Sequence, residues 1–302
     1  MIRKSGGQEL RSAVAFNLIA SRQWTRRGVL DVQGQAAYRD HLRGGYSLGG
    51  GGRRGRCRTV RQFAVRFRGL EKGIQEEARA KGIGASAAAA LMQTNYASAT
   101  IAADRGQRSF GLSLDQFLAK RGASTIVARG RALKQSQAAL FASIQQRYGV
   151  PPGPLIAIWG METGFGSQRG NQNMLSAVAT LAYDCRRPEY FTDQLYAALK
   201  LIDRGALSPS TRGSMHGEVG QTQFLPKNIL AYGTGNLDVA ANALSSTANF
   251  LRAHGWRAGA GYQPGEPNFA AIEAWNAAQV YQRAIALMGR QIDGSEGASA
   301  AR

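Results

Sequence analysis

The sequence predicts an all-α protein. Apolar residues recur at helical spacing in most segments after about residue 60, and no convincing run of alternating strand pattern is present. Glycine and proline separate these segments, as they do where helices end. A Gly-rich region at 205–237 is predicted to be mostly loop. With 302 residues, 44% of them hydrophobic, the chain is long enough to bury a substantial core in one or two domains.

The helical segments follow one another with recognisable ends. RQFAVRFRGLEKGIQEEARAKGI places apolar side chains from Phe63 to Ile74 on one face and ends at Gly82. SLDQFLAKR begins at a serine N-cap. SQAALFASIQQRYGV is apolar on one face, and the prolines at 151–152 open the next helix. Further helices are predicted for SAAAALMQTN, PEYFTDQLYAALKLIDRG, DVAANALSSTANFLRAHGW and FAAIEAWNAAQVYQRAIALMGRQI.

Residues 1–56 differ from the rest of the chain. They hold eleven Lys/Arg against three acidic residues and end in the Gly/Arg tract LRGGYSLGGGGRRGR. Two interpretations remain open: a disordered basic tail, or a misassigned start that replaces a true leader, since no signal peptide is readable. We expect residues 57–302 to form the folded domain. It would comprise a helical part at 57–150, a catalytic core at about 151–294 and a short disordered C-terminus.

Composition narrows the possible functions. The net charge of +19, from 38 basic and 19 acidic residues, favours a polyanionic partner such as nucleic acid, anionic lipid or an acidic cell-wall polymer. No apolar run is long enough to predict a transmembrane segment. Two cysteines and three histidines are too few to predict a metal cluster.

One acidic residue, Glu162, stands out in the stretch IAIWGMETGFGS. It is predicted to lie at the C-terminal end of an apolar helix, on the same face as Ile158 and Trp159. Burial and the negative end of the helix dipole both disfavour a charged carboxylate, so its pKa should rise toward that of a general acid. The glycines after it would let the chain turn and face the carboxyl into a cleft. The alternative is an acid at a helix end with its carboxylate in water.

Two later stretches carry residue types that suit a sugar. RGSMHGEVGQTQFLPKN places Gln221 and Gln223 beside Phe224, and EAWNAAQVY places Trp275 next to Asn276. Amides and hydroxyls bond sugar hydroxyls while aromatic rings stack on the pyranose face. A turn-rich loop and a core helix are the respective alternatives.

In combination these blocks resemble a known family. IWGMETGFG, GSMHGEVGQTQFLP, STANFLRAHGW and NFAAIEAWNAAQVY occur in the order and spacing of lytic murein transglycosylases of the membrane-bound transglycosylase B type, in the lysozyme-like superfamily. YASATIAADRGQRSF and the segment before Glu162 fit as well, so the resemblance covers roughly residues 58–294. It implies a lysozyme-like catalytic core with additional N-terminal helices.

The resemblance also implies an activity and a set of site residues. The enzyme would cleave the β-1,4 bond between N-acetylmuramic acid and N-acetylglucosamine in peptidoglycan, with Glu162 as the single acid/base, and would leave 1,6-anhydromuramoyl ends. The groove residues would be Ser214, Gln223, Phe250, Asn276 and Phe117. Phe250 and Phe117 stand where many members carry Tyr, so stacking could persist while a hydroxyl contact is lost.

Cofactor, partner and location expectations follow from the same resemblance. Many members carry a calcium loop like an EF-hand, but the corresponding interval here holds a single acid, Asp238, so we expect no metal and no cofactor. The partners would be peptidoglycan glycan strands and other cell-wall enzymes, and the protein would act as a monomer in the periplasm.

Two other functions remain open at this point. A peptidoglycan-binding protein of the same fold could keep the groove without turnover. A basic nucleic-acid-binding protein would fit the charge, although no DNA- or RNA-binding motif is present and eleven of the basic residues lie in the atypical first 56.

The two cysteines could form a disulfide. Cys57 lies where the family-like region begins and Cys185 follows the catalytic segment. Peptidoglycan lies outside the cytoplasm, where disulfides persist. We expect Cys57 and Cys185 to be joined; the alternative is two buried free thiols.

A chain shortened to residues 57–302 should fold and cleave peptidoglycan, because the +8 charge excess of residues 1–56 carries no predicted chemistry. Circular dichroism and digestion of purified sacculi would check this. A soluble but inactive shortened chain would mean that the first 56 residues belong to the enzyme.

Overall fold

The computed structural model describes residues 63–106 and 112–294, without the side chains of 63–66 and 68. The described part is α-helical, as the sequence predicts. Its helices are α1 (Phe63–Ala80), α2 (Ala85–Ala89), α3 (Ser98–Arg105), α4 (Leu114–Arg121), α5 (Ala123–Ser136), α6 (Ala138–Tyr148), α7 (Pro152–Thr163), α8 (Met174–Tyr183), α9 (Pro188–Asp203), α10 (Pro226–Tyr232), α11 (Ala240–Ala253), α12 (Phe269–Trp275) and α13 (Gln279–Asp293). A 3₁₀ turn, Ala90–Gln93, follows α2.

Helix α7 lies at the centre of the fold. Its residues from Gly153 to Met161 are buried on every side, which is typical of a core helix rather than an amphipathic surface helix. Helices α13, α5 and α11 pack around it. The core is continuous through these helices and reaches α8 and α9, which pack against each other and against the N-terminal helices. No described helix is both long and apolar enough to cross a membrane.

Helix α13 runs antiparallel to α7 and contacts both of its ends. At one end, Asp293 of α13 accepts a hydrogen bond from the backbone N–H of Gly153 at 2.8 Å. This bond satisfies an N–H of the first turn that has no partner within the helix. The second carboxylate oxygen of Asp293 accepts from the Tyr262 hydroxyl at 2.7 Å. At the opposite end, Tyr281 of α13 meets Glu162.

The close approach of α7 and α13 requires glycine at position 153. A Cβ built on Gly153 would lie 2.2 Å from the carbonyl oxygen of Gly289 and 2.5 Å from Asp293 Oδ2. Because the first of these atoms is backbone, a side chain here could fit only if one helix moved. The two helices are therefore held in one relative position.

A buried ion-pair cluster fixes α3 to the loop between α8 and α9. Asp104, 1% exposed, pairs with Arg186 at 2.5 Å and Arg187 at 2.7 Å. Asp184, 2% exposed, pairs with Arg105 at 2.6 Å. Charges this deeply buried persist only when they are paired.

Cys185 lies in this loop, between Asp184 and Arg186. Cys57, its predicted disulfide partner, lies outside the described residues, so the pairing stays a prediction. The two interpretations of residues 1–56 also concern residues that the structure does not describe.

The structure confirms several sequence predictions and adds detail to others. Ser113 caps α4 in a reciprocal capping box with Gln116. The Gly-rich region at 205–237 is mostly loop but contains the short helix α10. It also contains one half of a minimal antiparallel sheet, in which β1 (Gln172–Asn173) pairs with β2 (Arg212–Gly213). Such short strands carry no alternating pattern for the sequence to reveal.

Replacing Asp293 with alanine should destabilise the fold by about 1–3 kcal/mol, because the Gly153 N–H and the Tyr262 hydroxyl would lose their buried acceptor. Urea unfolding would measure the change. Asp238→Ala is the matched control. The Asp238 carboxylate is 57% exposed and pairs at 2.9 Å with an exposed Arg169, so its loss should change stability by less than about 1 kcal/mol. Equal effects of the two substitutions would contradict the role assigned to Asp293.

Candidate active site

Glu162 lies in the last turn of α7, and the chain turns sharply after it. Gly164, Phe165 and Gly166 all have positive φ, at 56°, 61° and 83°. A Cβ on Gly166 would lie 2.3 Å from the Gln221 side-chain oxygen, so glycine permits both the turn and this contact. Phe165 adopts a left-handed conformation that bulky residues rarely take. The turn leaves Glu162 partly buried, at the boundary between the core and solvent.

Two donors hold one oxygen of the Glu162 carboxyl. The Tyr281 hydroxyl donates to Oε1 at 2.7 Å, and the Trp275 indole N–H donates to the same oxygen at 3.3 Å. Tyr281 is 0% exposed and Trp275 is 6% exposed. Among the described residues, Oε2 has no hydrogen-bond partner. The carboxyl is thus fixed through one oxygen, and the other can still accept a hydrogen bond or carry a proton.

The environment of Glu162 favours its protonated form. Burial raises the pKa of Glu162 above its ordinary value, while the Tyr281 hydrogen bond, the Arg121 charge and the Trp275 hydrogen bond oppose the rise. Burial, and then the nearby Glu162 charge, raise the pKa of the Tyr281 hydroxyl well above 10, so Tyr281 remains a donor at neutral pH. The direction for Glu162 agrees with the sequence prediction.

An aromatic cluster holds the Trp275 indole in place. The Trp275 ring makes edge contacts with Phe224 at 5.3 Å and Phe250 at 5.2 Å between centroids. Phe250 also stacks on His254 at 4.0 Å. Phe250 is 0% exposed, so it lies behind the indole rather than on an open surface. Its contribution in this structure is to pack against the ring that donates to Glu162.

Phe117 occupies a comparable buried position behind Tyr281. It is 1% exposed, and its ring lies 6.1 Å from the Tyr281 ring in an edge arrangement. Arg121, one turn later on α4, places its guanidinium 5.1 Å from the Phe117 ring and 5.7 Å from the Tyr281 ring. Arg121 also donates to the carbonyl of Met161 at 3.4 Å, next to Glu162. Helices α4 and α13 therefore meet at the end of α7 that carries Glu162.

Ser214 organises the loop that carries Glu218. Its hydroxyl donates to Glu218 Oε2 at 2.9 Å and accepts from the backbone N–H groups of His216 and Glu218 at 3.1 and 3.2 Å. Because a hydroxyl has a single proton, the donor capacity of Ser214 is used by Glu218 in this structure. Toward a ligand, the Ser214 hydroxyl could therefore act only as a hydrogen-bond acceptor, unless the ligand displaced its bond to Glu218.

Of the two glutamines singled out in the sequence, Gln221 anchors the loop. Its amide accepts from the Trp159 indole at 2.9 Å and donates to the backbone carbonyl of Asp238 at 2.7 Å. The backbone carbonyl of Gln221 accepts a hydrogen bond from the buried Thr163 hydroxyl at 2.6 Å. These bonds fix the 220–223 turn against the end of α7.

Gln223 and Asn276 each use only part of their hydrogen-bonding capacity within the described residues. Gln223 has a φ of 58°, and its amide nitrogen donates to the backbone carbonyl of Gly220 at 2.8 Å. Asn276 follows Trp275 and accepts from the Ala278 N–H at 3.0 Å. Both side chains are partly exposed, and among the described residues the Gln223 oxygen and the Asn276 amide nitrogen have no hydrogen-bond partner. Residues other than glycine with a left-handed backbone conformation, such as Gln223, are found most often at functional sites.

Sequence reasoning named most of the residues at this site but missed Arg121. The structure places Trp275 and Tyr281 against Glu162. Both lie in the stretch EAWNAAQVY, for which the sequence left a sugar-binding segment and a core helix as alternatives. Arg121 carries a signal that could have revealed it: it lies four residues after Phe117 on a capped helix, and such residues share a face.

Comparison with known proteins identifies the family. The profile of the transglycosylase SLT domain matches residues 66–265. The chain belongs to this family. It is 35% identical over 139 residues to the membrane-bound lytic murein transglycosylase B of Escherichia coli strain K12. That alignment covers 41% of this chain and 38% of the relative, so it spans well under half of either protein.

Solved structures of SLT domain proteins share the fold. SltB3 from Pseudomonas aeruginosa, in complex with NAG-NAM-pentapeptide, is 28% identical with a TM-score of 0.70, over 76% of this chain and 80% of that chain. SltB3 in complex with NAG-anhNAM-pentapeptide is 27% identical over the same shares, also with a TM-score of 0.70. The Escherichia coli lytic transglycosylase Slt35 in complex with bulgecin A is 22% identical with a TM-score of 0.66, over 74% of this chain and 93% of that chain. The predicted fold class and family are confirmed.

The described residues hold no group of three or more His, Cys, Asp or Glu side chains that could bind a metal ion. Asp238, the one acid in the interval where many members carry a calcium loop, pairs with Arg169.

Glu162→Gln should stabilise the protein as the pH rises. The pKa of Glu162 is raised in the folded state, so the folded chain holds this proton more tightly than the unfolded chain does, and ionisation at higher pH opposes folding. The glutamine keeps an oxygen to accept from Tyr281 but never ionises. The variant should match wild type below about pH 4, near the ordinary glutamate pKa. Above that its advantage should grow until the pH passes the raised folded-state pKa of Glu162, and then stay constant.

Thermal unfolding across this pH range would check the prediction. Glu273→Gln on α12 makes the same change at an exposed position and should show no such gain. A constant difference between Glu162→Gln and wild type at every pH would contradict it.

Proposed function

We propose that this protein is a lytic murein transglycosylase. It would cleave the β-1,4 bond between N-acetylmuramic acid and N-acetylglucosamine in peptidoglycan and form 1,6-anhydromuramoyl ends. The observation that carries the proposal is the Glu162 carboxyl, held through Oε1 by Tyr281 and Trp275 at the end of a buried helix. Membership of the transglycosylase SLT domain family and the sugar–peptide ligands named for SltB3 support it.

In the first step Glu162 acts as the acid. Burial favours its protonated form, and because Oε1 accepts two hydrogen bonds, the proton resides on Oε2. This proton passes to the glycosidic oxygen as the bond from C1 to that oxygen breaks. The N-acetylglucosamine leaves with a free hydroxyl, and positive charge develops at C1 and the ring oxygen of the muramoyl sugar.

In the second step the same residue acts as the base. The muramoyl 6-hydroxyl attacks C1, and its proton returns to Glu162. Tyr281 and Trp275 stabilise the carboxylate that exists between the two steps. Because the substrate supplies its own nucleophile, the reaction needs no second carboxylate to activate water, as a hydrolase normally would. Glu218 is left to hold Ser214.

Substrate would lie across the open side of Glu162. We propose that Ser214, Gln223 and Asn276 contact the sugar through acceptor and amide groups. Phe117 and Phe250 would act one layer behind, by fixing Tyr281 and Trp275 rather than by stacking directly on a pyranose. The protein would act as a monomer in the periplasm, on glycan strands and alongside other cell-wall enzymes.

Mass spectrometry of digested sacculi tests the proposal. Wild-type protein should release fragments with 1,6-anhydro ends, and Glu162→Gln should release them at least about 100-fold more slowly, because general acid–base catalysis typically contributes 10²–10⁴-fold. Glu273→Gln is the matched control and should retain wild-type activity.

The alternative, a non-catalytic peptidoglycan-binding protein, makes a different prediction. Wild type and Glu162→Gln would then both sediment with sacculi, and neither would release product. Release of free reducing ends in place of 1,6-anhydro ends would instead indicate a hydrolase.

A further inference from the structure

A cation lies behind the candidate acid. Arg121 is the last residue of α4, and its guanidinium donates to the carbonyl of Met161 at 3.4 Å. It also lies near the ring of Tyr281, the residue whose hydroxyl holds Glu162. Arg121 thus contacts both the backbone that carries Glu162 and the side chain that orients it.

The setting of Arg121 is unfavourable for a purely structural role. Its Nε and Nη2 atoms are buried, and no acceptor lies within hydrogen-bonding distance of them among the described residues. Burial lowers the pKa of Arg121, and the charges of Tyr281 and Glu162 oppose this. The guanidinium nevertheless carries a charge near neutral pH, because arginine side chains stay protonated in proteins. A buried cation with unpartnered donors is destabilising unless a nearby negative charge compensates for it.

The other charged groups near this end of α7 are differently placed. Glu218 lies on the 214–218 loop, and its charge contributes to the raised pKa of Tyr281. Arg129 on α5 is exposed and lies 4.7 Å from the Phe165 ring, beyond the turn. Lys134 and Asp293 lie at the opposite end of α7, roughly 13 Å away along a helix that rises 1.5 Å per residue.

We propose that Arg121 is a positioning residue that supports the carboxylate form of Glu162 during the second half of the reaction. The proposal deepens the transglycosylase function above and rests on it. After the proton has left for the glycosidic oxygen, the Arg121 charge lowers the energy of the buried carboxylate. Without it, only the hydrogen bonds from Tyr281 and Trp275 would oppose the effect of burial, and return of the proton would be more favourable. Tyr281 provides a hydrogen bond for this purpose, and Arg121 provides a full charge.

The test compares Arg121→Met with Arg121→Lys. Methionine keeps an apolar stem between the two rings, removes the charge and leaves no unpartnered donor, so the variant should fold. Lysine restores the charge. Arg129→Gln is the matched control, because it removes an arginine stacked on a ring near the same turn but exposed to solvent.

The first readout is the pH dependence of 1,6-anhydro product release. Glu162 must be protonated for the first step, so the rate falls as the pH rises through its pKa. Arg121→Met should move this fall to higher pH and lower the maximal rate by roughly 10- to 100-fold, part of the total that acid–base catalysis supplies. Arg121→Lys should move both values back toward wild type, and Arg129→Gln should leave both unchanged. An equal loss of rate at every pH, with no recovery in lysine, would overturn the proposal.

The second readout needs no turnover. Titration of ¹³C-labelled glutamate by NMR, with Glu162 assigned from the Glu162→Gln spectrum, should show a higher pKa for Glu162 in Arg121→Met than in wild type. An unchanged pKa would overturn the proposal even if wild type releases 1,6-anhydro product. Conversely, if wild type releases no such product but the Glu162 pKa rises in Arg121→Met, the electrostatic coupling stands and the transglycosylase function fails.

Discussion

The burial of one ionisable carboxyl at the end of an apolar helix is the constraint on which the rest of the site depends. An unpaired acid in such a place would remain protonated and act only as an acid. The Tyr281 hydroxyl and the Trp275 indole N–H oppose this by donating hydrogen bonds that stabilise the carboxylate, and both donors are themselves buried. Burial therefore raises the pKa of Glu162 while the two hydrogen bonds oppose the rise, a balance that suits the proposed role of giving and then recovering a proton.

The antiparallel pair of α7 and α13 fixes this arrangement. One end of α13 supplies Tyr281 to Glu162, and its other end supplies Asp293 to the N-terminus of α7. Glycine at position 153 allows the two backbones to approach closely enough for both contacts. A shift of α13 along α7 would disturb the acid and the helix cap together, so the stability of the core and the geometry of the site are set by the same interface.

Two phenylalanines of the core, Phe117 and Phe250, pack directly behind the groups that donate to Glu162. Both side chains are buried. A ring without a hydroxyl is well suited to this layer, because it leaves no polar group unpartnered. In the proposed function, direct contact with the sugar is made instead by Ser214, Gln223 and Asn276, which are partly exposed.

The sequence by itself determined the fold class, the apolar helix and the position of Glu162 at the C-terminal end of that helix. These depend on local signals: helical periodicity, the serine cap at 113, and an acid followed by glycines at the end of an apolar run. The sequence also predicted the family, because four sequence motifs occur in the order and spacing that its members show. Only the tertiary structure decided which groups touch Glu162. Tyr281 and Trp275 are more than 110 residues away in sequence, and their periodicity fits a core helix as well as a site.

The same limit applies to Gln221 and Arg121. Nothing local distinguishes a glutamine that anchors a turn from one that meets a sugar, since both are polar residues in a Gly-rich loop. From the sequence alone, Arg121 is a basic residue at the C-terminus of a predicted helix, which is a common and favourable position. The role proposed for it depends on α4 ending beside α7 and α13. That arrangement results from long-range packing, which the spacing of residues in the sequence does not reveal.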